Sequence, residues 1–225
     1  MTNLNNLLFG VYPYIAVFVC IVVSWIRFDR EPYTWKADSS QMLNNEGFRV
    51  ASNLFHVGII FILLGHFVGL LMPVSIYHHV ISSENKQLLA MISGGIFGVL
   101  CLVGLLMLLK RRLMDPRVSA TSKTSDTVIL LLLLAQLILG LLTIFFSMDH
   151  LDGSVMIKLG NWAQAIVSFD AIQAAAEIES VHIIYKLHVF LGLTIILFVP
   201  FTRLVHIISA PVWYLGRSYQ IVRQR

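Results

Sequence analysis

The sequence predicts an all-α integral membrane protein, a five-helix bundle with its N-terminus outside and its C-terminus in the cytoplasm. Of its 225 residues, 57% are hydrophobic and only 12% are charged. Soluble domains carry about 25% charged residues, so this composition indicates a membrane protein. Five apolar stretches are long enough to cross a hydrocarbon core, which takes about 20 helical residues. These stretches are residues 7–26, 50–72, 88–109, 127–148 and 181–208.

The distribution of basic residues predicts the orientation of these spans. Lysine and arginine concentrate after the first, third and fifth spans, and cytoplasmic loops are enriched in both residues. Residues 1–225 then form a single transmembrane domain that ends in a cytoplasmic tail over residues 209–225. The net charge of +4 follows this topology, so the predicted surroundings are a lipid bilayer and not nucleic acid.

Four histidines lie inside two of the predicted spans. His56 and His66 belong to the second span, and His188 and His206 belong to the fifth. A polar side chain inside a membrane marks a functional site by default, because burying it without a partner is unfavourable. The two spans run in opposite directions, so depth pairs His66 with His188 on the outer side and His56 with His206 on the inner side.

The paired depths predict two haem b groups, each held by two axial imidazoles. His188 and His206 are 18 residues apart, about five turns of helix, which predicts that they share one face. A single intramembrane histidine is commonly explained by an interhelical hydrogen bond, but four matched by depth favour haem. Zinc and copper are weaker alternatives, because no Cys, Asp or Glu lies near the histidines to complete such a site.

Glycines and a proline accompany the histidines. Gly58, Gly65, Gly69 and Gly192 lie near them and predict either a wall for a flat macrocycle or close helix packing. Both interpretations stay open. Pro200 interrupts the fifth span between His188 and His206 and predicts a kink that redirects the inner histidine.

Three further side chains are candidates at the membrane boundaries. Lys86 lies at the depth of the outer histidines; it either extends toward the headgroups or donates to a quinol oxygen or a haem propionate. Arg112, with its neighbours at the inner boundary, is a candidate partner for propionates, although cytoplasmic orientation alone also explains it. His182 faces away from His188 on the helix and is predicted to be a surface or structural histidine.

The predicted spans contain no Asp or Glu. Pumps and ion-coupled transporters normally need such groups to relay protons or ions. The sequence therefore disfavours transport.

Several motifs carry a resemblance to a known family. They are YTW at residues 33–35, SSQML at 39–43, ASNLFHVGI at 51–59, GHFVG at 65–69, DPRVSAT at 115–121 and KLHVFLG at 186–192. With these motifs the chain resembles, over essentially its whole length, the gamma subunit of membrane-bound respiratory nitrate reductase, a dihaem cytochrome b subunit. The resemblance implies His66 and His188 for the outer haem, His56 and His206 for the inner haem, and Lys86 at the quinol site.

The implied function is electron transfer across the inner membrane of a bacterium. A membrane quinol, menaquinol or ubiquinol, is oxidised near the outer haem and releases its protons outside. Electrons pass to a cytoplasmic iron–sulfur beta subunit and on to a molybdenum-containing alpha subunit that reduces nitrate. Two alternatives remain at this stage: a cytochrome b subunit of another quinone-linked oxidoreductase, and a haem-free structural anchor.

Overall fold

The predicted all-α fold with five membrane spans is confirmed. The structure is a computed structural model that describes residues 2–36, 39–149, 151–209 and 216, and this part of the chain contains helices and no strands. The orientation of the termini and the division into one domain stay predictions. Most of the predicted tail, residues 209–225, lies outside the described residues.

Seven helices position the candidate site. They are α1 (Tyr12–Arg30), α2 (Phe48–Leu71), α3 (Ser83–Met114), α4 (Thr124–Ser147), α5 (Ser154–Val167), α6 (Ala171–Glu179) and α7 (Ile183–Phe198). Helices α1, α2, α3, α4 and α7 belong to the five segments that are long and apolar enough to span a membrane. Helices α3 and α4 begin earlier than predicted, because their first turns are polar and apolar character alone does not mark them.

The spans pack in a sequence that leaves two histidine-bearing helices facing each other. Helix α2 packs on α3, α3 on α4, α4 on α7 and α7 on α1. Helices α2 and α7 carry three of the four histidines. Among the described residues, these two helices do not pack extensively against each other. Large apolar side chains stay exposed along all five spans, as expected where lipid covers them.

Small residues allow the closest contact, between α2 and α3. A Cβ added at Gly58 would lie 2.6 Å from the Cys101 Cβ, and one at Gly104 would lie 2.7 Å from the Ala51 carbonyl oxygen. Glycine therefore permits this backbone approach, as small residues do between membrane helices. For Gly58 the packing interpretation is the one that the structure supports.

Helices α5 and α6 cover the end of the bundle that is predicted to lie outside. Trp162 of α5 is buried and donates its indole N–H to the main-chain oxygen of Phe9, 3.0 Å away. Gln164 of α5 donates to the main-chain oxygen of Leu70, at the outer end of α2. These contacts tie the loop between α4 and α7 to the first two spans.

The prediction of one helix over residues 181–208 is wrong for the residues that follow Phe198. Helix α7 ends at Phe198, and a 3₁₀ turn, Val199–Phe201, leads to an extended residue, Thr202. A second 3₁₀ turn, Arg203–Ile207, then carries His206. Pro200 has no N–H and its ring clashes with the preceding turn, so it ends the helix. His188 and His206 therefore do not share one helix face.

Arg27 of α1 stabilises this break. Its guanidinium donates to the main-chain oxygens of Pro200, at 2.7 Å, and Thr202, at 3.1 Å. Carbonyls released from a helix need such partners, because hydrocarbon offers none. Arg27 thereby fixes the start of the turn that presents His206.

We expect Arg27→Met to destabilise the protein by about 1.5–3 kcal/mol, the usual contribution of hydrogen bonds to a charged group. The measurement is the midpoint of thermal unfolding in detergent at one heating rate. Arg30→Met is the matched control, since Arg30 is exposed at the end of the same helix. Equal midpoints for the two variants would contradict the assigned role of Arg27.

Candidate functional site

The structure brings the four span histidines together in two pairs. The ring centroids of His66 and His188 lie 6.0 Å apart with an interplanar angle of 38°. Those of His56 and His206 lie 6.4 Å apart at 64°. These are the pairs that depth alone predicted, although His206 reaches its position from a separate 3₁₀ turn.

Both separations fit two imidazoles that share one metal ion. Ring nitrogens bound at about 2.0 Å on opposite sides of a metal ion place the two centroids about 6.2 Å apart, since a ring nitrogen lies about 1.1 Å from its centroid. The distances of 6.0 and 6.4 Å lie on either side of that value. The same spacing also lies within the range of ordinary aromatic contacts, so the separations are compatible with a shared metal ion and do not require one.

Three of the histidines are oriented by their own backbone. In each, Nδ1 lies within hydrogen-bond distance of a carbonyl oxygen three or four residues earlier. The partners are Ser52 for His56 at 2.7 Å, Ile62 for His66 at 2.8 Å and Arg203 for His206 at 2.6 Å. A carbonyl only accepts, so Nδ1 carries the proton and Nε2 keeps its lone pair for a metal. Metal-binding histidines are commonly held in this way.

His188, on α7, is oriented by a side chain of another helix and not by its own backbone. Gln136 of α4 places its Nε2 3.1 Å from the main-chain oxygen of His188 and 3.4 Å from His188 Nε2. The Nδ1 atom of His188 is buried without a hydrogen-bond partner among the described residues. This imidazole therefore depends on a neighbouring helix for its orientation. The predictions did not include Gln136, because helix periodicity gives no signal for a partner on another helix.

The surroundings suit a flat, apolar group between the rings. His56 and His66 are exposed although they lie within a span, and among the described residues no atom of another helix lies within 4 Å of a Cβ added at Gly65 or Gly69. Gly58 and Gly192 differ, because each faces a neighbouring helix. The macrocycle-wall interpretation thus fits Gly65 and Gly69 alone.

The donor set also favours haem over a bare metal ion. Among the described residues, no group of three His, Cys, Asp or Glu side chains is placed to hold a metal. Each site then offers two imidazoles, which falls short of the four ligands of a typical zinc site. A porphyrin supplies the remaining nitrogens itself, so the residues present fit haem iron.

Lys86 lies near the start of α3 and contacts an aromatic ring. Its Nζ is 3.7 Å from the centroid of Tyr77, a distance at which the ring face attracts a cation. The buried Tyr77 is anchored by a 2.8 Å hydrogen bond between its hydroxyl and Ser83 Oγ. Tyr77 thereby directs Lys86, a role that spacing in the sequence did not indicate. The predicted contact with quinol stays a prediction.

Arg112 forms a buried ion pair instead of standing free at the inner boundary. Its Nη1 lies 3.2 Å from the Asp126 carboxylate and 2.9 Å from Ser122 Oγ. Asp126 belongs to the first turn of α4, so a spanning helix does contain an acidic residue. The predicted absence of Asp and Glu depended on narrower spans, since the observed spanning segments also include Asp29 of α1 and Glu84 of α3. The predicted propionate contact of Arg112 stays a prediction.

His182 has the structural role that was predicted. Its Nδ1 accepts a hydrogen bond from the Ile184 N–H at the start of α7. Its ring stacks on Phe146, with centroids 4.7 Å apart. His182 therefore caps a helix, and its contacts lie away from the two histidine pairs.

These features define a class: a multi-pass, all-helical membrane protein with two histidine pairs set at two depths. Residues 5–225 match the family model described as nitrate reductase gamma subunit, and the chain belongs to that family. It is therefore a subunit of an oxidoreductase complex in the bacterial inner membrane.

Three relatives match over nearly their whole lengths. The chain is 52% identical to the respiratory nitrate reductase 1 gamma chain of Escherichia coli K12, with 100% of both chains covered. It is 49% identical to the respiratory nitrate reductase 2 gamma chain of the same strain, over 99% of this chain and 98% of the relative. The nitrate reductase gamma chain of Bacillus subtilis 168 is 34% identical, over 98% and 99% respectively.

We expect Asp126→Leu to destabilise the protein by about 3–5 kcal/mol, because it leaves the buried Arg112 cation unpaired. The double variant Arg112→Met/Asp126→Leu should recover much of that loss, since apolar residues can replace a buried pair. Thermal unfolding in detergent measures both variants. A double variant as unstable as the single one would show that Arg112 has another essential partner, as the propionate prediction requires.

Proposed function

We propose that this chain is the dihaem cytochrome b subunit of a respiratory nitrate reductase, where it oxidises a membrane quinol and delivers electrons to cytoplasmic subunits. The observation that carries the proposal is the pair of imidazole separations, 6.0 and 6.4 Å. The family and the spanning helices support the same function. When bound, the two haems supply one-electron carriers at two depths of the membrane.

His66 and His188 would hold the outer haem, and His56 and His206 the inner one. His56 and His66 belong to one α-helix and are ten residues apart, which is about 15 Å of rise. The Nδ1 hydrogen bonds of His56, His66 and His206 fix the tautomer that leaves Nε2 to the iron. These residues thus set the position and ligation of each carrier.

Lys86 would hold the quinol beside the outer pair. Its ammonium group, directed by Tyr77, can donate to a quinol oxygen while the apolar ends of α2 and α3 face the ring and tail. Oxidation removes two electrons and two protons from the quinol. The electrons leave toward the inner pair, and the protons leave toward the outer surface, where Lys86 lies by the predicted topology. Each charge that crosses inward works against a potential worth about 2.3 kcal/mol per 100 mV.

The cytoplasmic end offers an ordered surface for partners. The Arg111 guanidinium donates to Ser40 Oγ at 2.6 Å and to the main-chain oxygens of Ser40 and Asn44. This holds the loop after α1 against the end of α3. We infer that an iron–sulfur beta subunit binds at this end and passes electrons to a molybdenum-containing alpha subunit, where nitrate is reduced.

A haem-free structural anchor is the less supported function. It would leave His56 and His66 as exposed imidazoles inside the membrane, which is unfavourable. It also gives no reason for two ring separations that both suit a shared metal. A subunit of another quinone-linked oxidoreductase is disfavoured by the family.

We expect two haems b per polypeptide in the wild-type complex, and one in each of His66→Ala and His56→Ala, because each variant removes an axial ligand from a different site. Pyridine haemochrome measures the ratio, and a redox titration shows which component each variant loses. His182→Ala is the control and should keep both haems, since His182 caps α7 and stacks on Phe146. Well-folded wild-type protein without haem would overturn the proposed function.

We expect Lys86→Ala to lower quinol-dependent nitrate reduction at least about tenfold, because a hydrogen bond from a charged donor contributes about 1.5–3 kcal/mol. Nitrate reduction driven by a dye that reduces the cytoplasmic subunits directly should not change. Lys158→Ala is the matched control on the outer side, where Lys158 donates to Ser180 Oγ at 2.9 Å. Equal quinol activities in the two variants would remove Lys86 from the quinol site.

A further inference from the structure

The connection between α2 and α3, together with the first residue of α3, contains a continuous chain of hydrogen-bonded side chains. The Tyr77 hydroxyl lies 2.8 Å from Ser83 Oγ, and Ser83 Oγ lies 2.8 Å from His78 Nε2. Tyr77 is 3% exposed and Ser83 is 9% exposed, whereas His78 is exposed at the surface. The chain therefore leads from a buried hydroxyl to solvent.

Packing around the chain fixes these three side chains. The rings of Tyr77 and His78 meet edge to face, with centroids 4.9 Å apart. Gly153, just before α5, covers Ser83 so closely that a Cβ added there would lie 2.8 Å from the Ser83 Cβ. Its φ of +78° is one that glycine adopts readily. The connection and the start of α5 thus hold the chain in place together.

The buried end of the chain lies beside the proposed quinol site. Lys86 Nζ is 3.7 Å from the centroid of the Tyr77 ring, so the hydroxyl of that ring is close to an oxygen that Lys86 binds. A phenol or serine hydroxyl can accept one proton while it donates another, and a neutral imidazole can accept at Nε2. The chain therefore has the hydrogen-bonding capacity that proton transfer requires.

We infer that Tyr77, Ser83 and His78 relay protons from the quinol to the surface that is predicted to lie outside. The inference rests on the proposed function, since it concerns the protons of the same quinol. Oxidation of a quinol to a quinone releases two electrons, which the complex delivers to nitrate, and two protons. The relay gives each of these protons a defined route away from the membrane.

Each passage conserves the protons of the chain. A quinol O–H gives its proton to the Tyr77 oxygen, Tyr77 gives its own proton to Ser83 Oγ, and Ser83 gives its own to His78 Nε2. The imidazolium then loses a proton to water. Rotation of the two hydroxyls and tautomer exchange at His78 restore the chain, and a second passage carries the second proton.

The test compares His78→Ala with His79→Ala in the full complex. We expect His78→Ala to lower kcat for quinol-dependent nitrate reduction about tenfold with KM unchanged, because a positioned proton acceptor contributes about 100-fold or more and water replaces part of it. Imidazole added to the buffer should restore the rate, since position 78 is open to solvent. His79 is the matched control, exposed beside His78 but outside the chain, and its variant should keep full activity.

Two further variants interrupt the chain at its buried members. Tyr77→Phe keeps the ring that directs Lys86 and removes only the hydroxyl. Binding of a redox-inert quinol analogue, measured by equilibrium dialysis, should therefore stay unchanged while kcat falls. Ser83→Ala should also lower kcat. Imidazole should restore neither variant, because both positions are buried.

A merely structural role of these hydrogen bonds predicts a different result. It lowers the thermal stability of the variants but gives imidazole nothing to restore in His78→Ala. If Ser83→Ala does not fold, the exposed His78 decides the test. Full quinol activity in any folded variant of the chain, or a loss in His78→Ala that imidazole does not restore, would overturn the relay and leave the proposed function intact. Equal quinol activity in Lys86→Ala and Lys158→Ala would instead remove the quinol site that the relay serves.

Discussion

The structure depends on the cost of placing imidazole in hydrocarbon. Two helices, α2 and α7, direct polar rings toward each other, and the packing order of the spans keeps these helices from closing directly on one another. The rings then meet in pairs at a spacing of 6.0 and 6.4 Å. A group that needs two opposed nitrogens would fit this separation and would give the intramembrane imidazoles a partner.

The backbone near His56 and His206 also reflects the cost of leaving polar groups without partners in hydrocarbon. Pro200 ends α7 and leaves carbonyls that hydrocarbon cannot satisfy. Arg27 supplies the missing donors from α1, and the chain resumes as a 3₁₀ turn that presents His206. Because that turn is tighter than an α-helix, the ring finds its carbonyl three residues back, where His56 and His66 find theirs four back.

The sequence was sufficient to predict the features that depend on hydropathy and on the direction in which each span runs. Five spans follow from apolar length, and the depth pairing of His56, His66, His188 and His206 follows from two antiparallel helices. Helical periodicity failed at His206, because it assumes a continuous helix that Pro200 ends. Hydropathy also missed the start of α4 and with it the pairing of Asp126 with Arg112. Gln136 and Tyr77 act across elements, and contacts of that kind leave no periodic signal.

The two sides of the bundle secure their ligands by different means. A main-chain carbonyl is present whatever the residue, so the hydrogen bonds of His56, His66 and His206 depend on helix geometry alone. His188 depends on one side chain from another helix, and that side chain depends on a glycine at position 192. Movement between α4 and α7 would therefore displace the His188 ring through Gln136, while the His206 ring would respond to the turn that Arg27 holds. Of the four histidines, His188 is thus the one whose ring position is coupled to the packing of two helices.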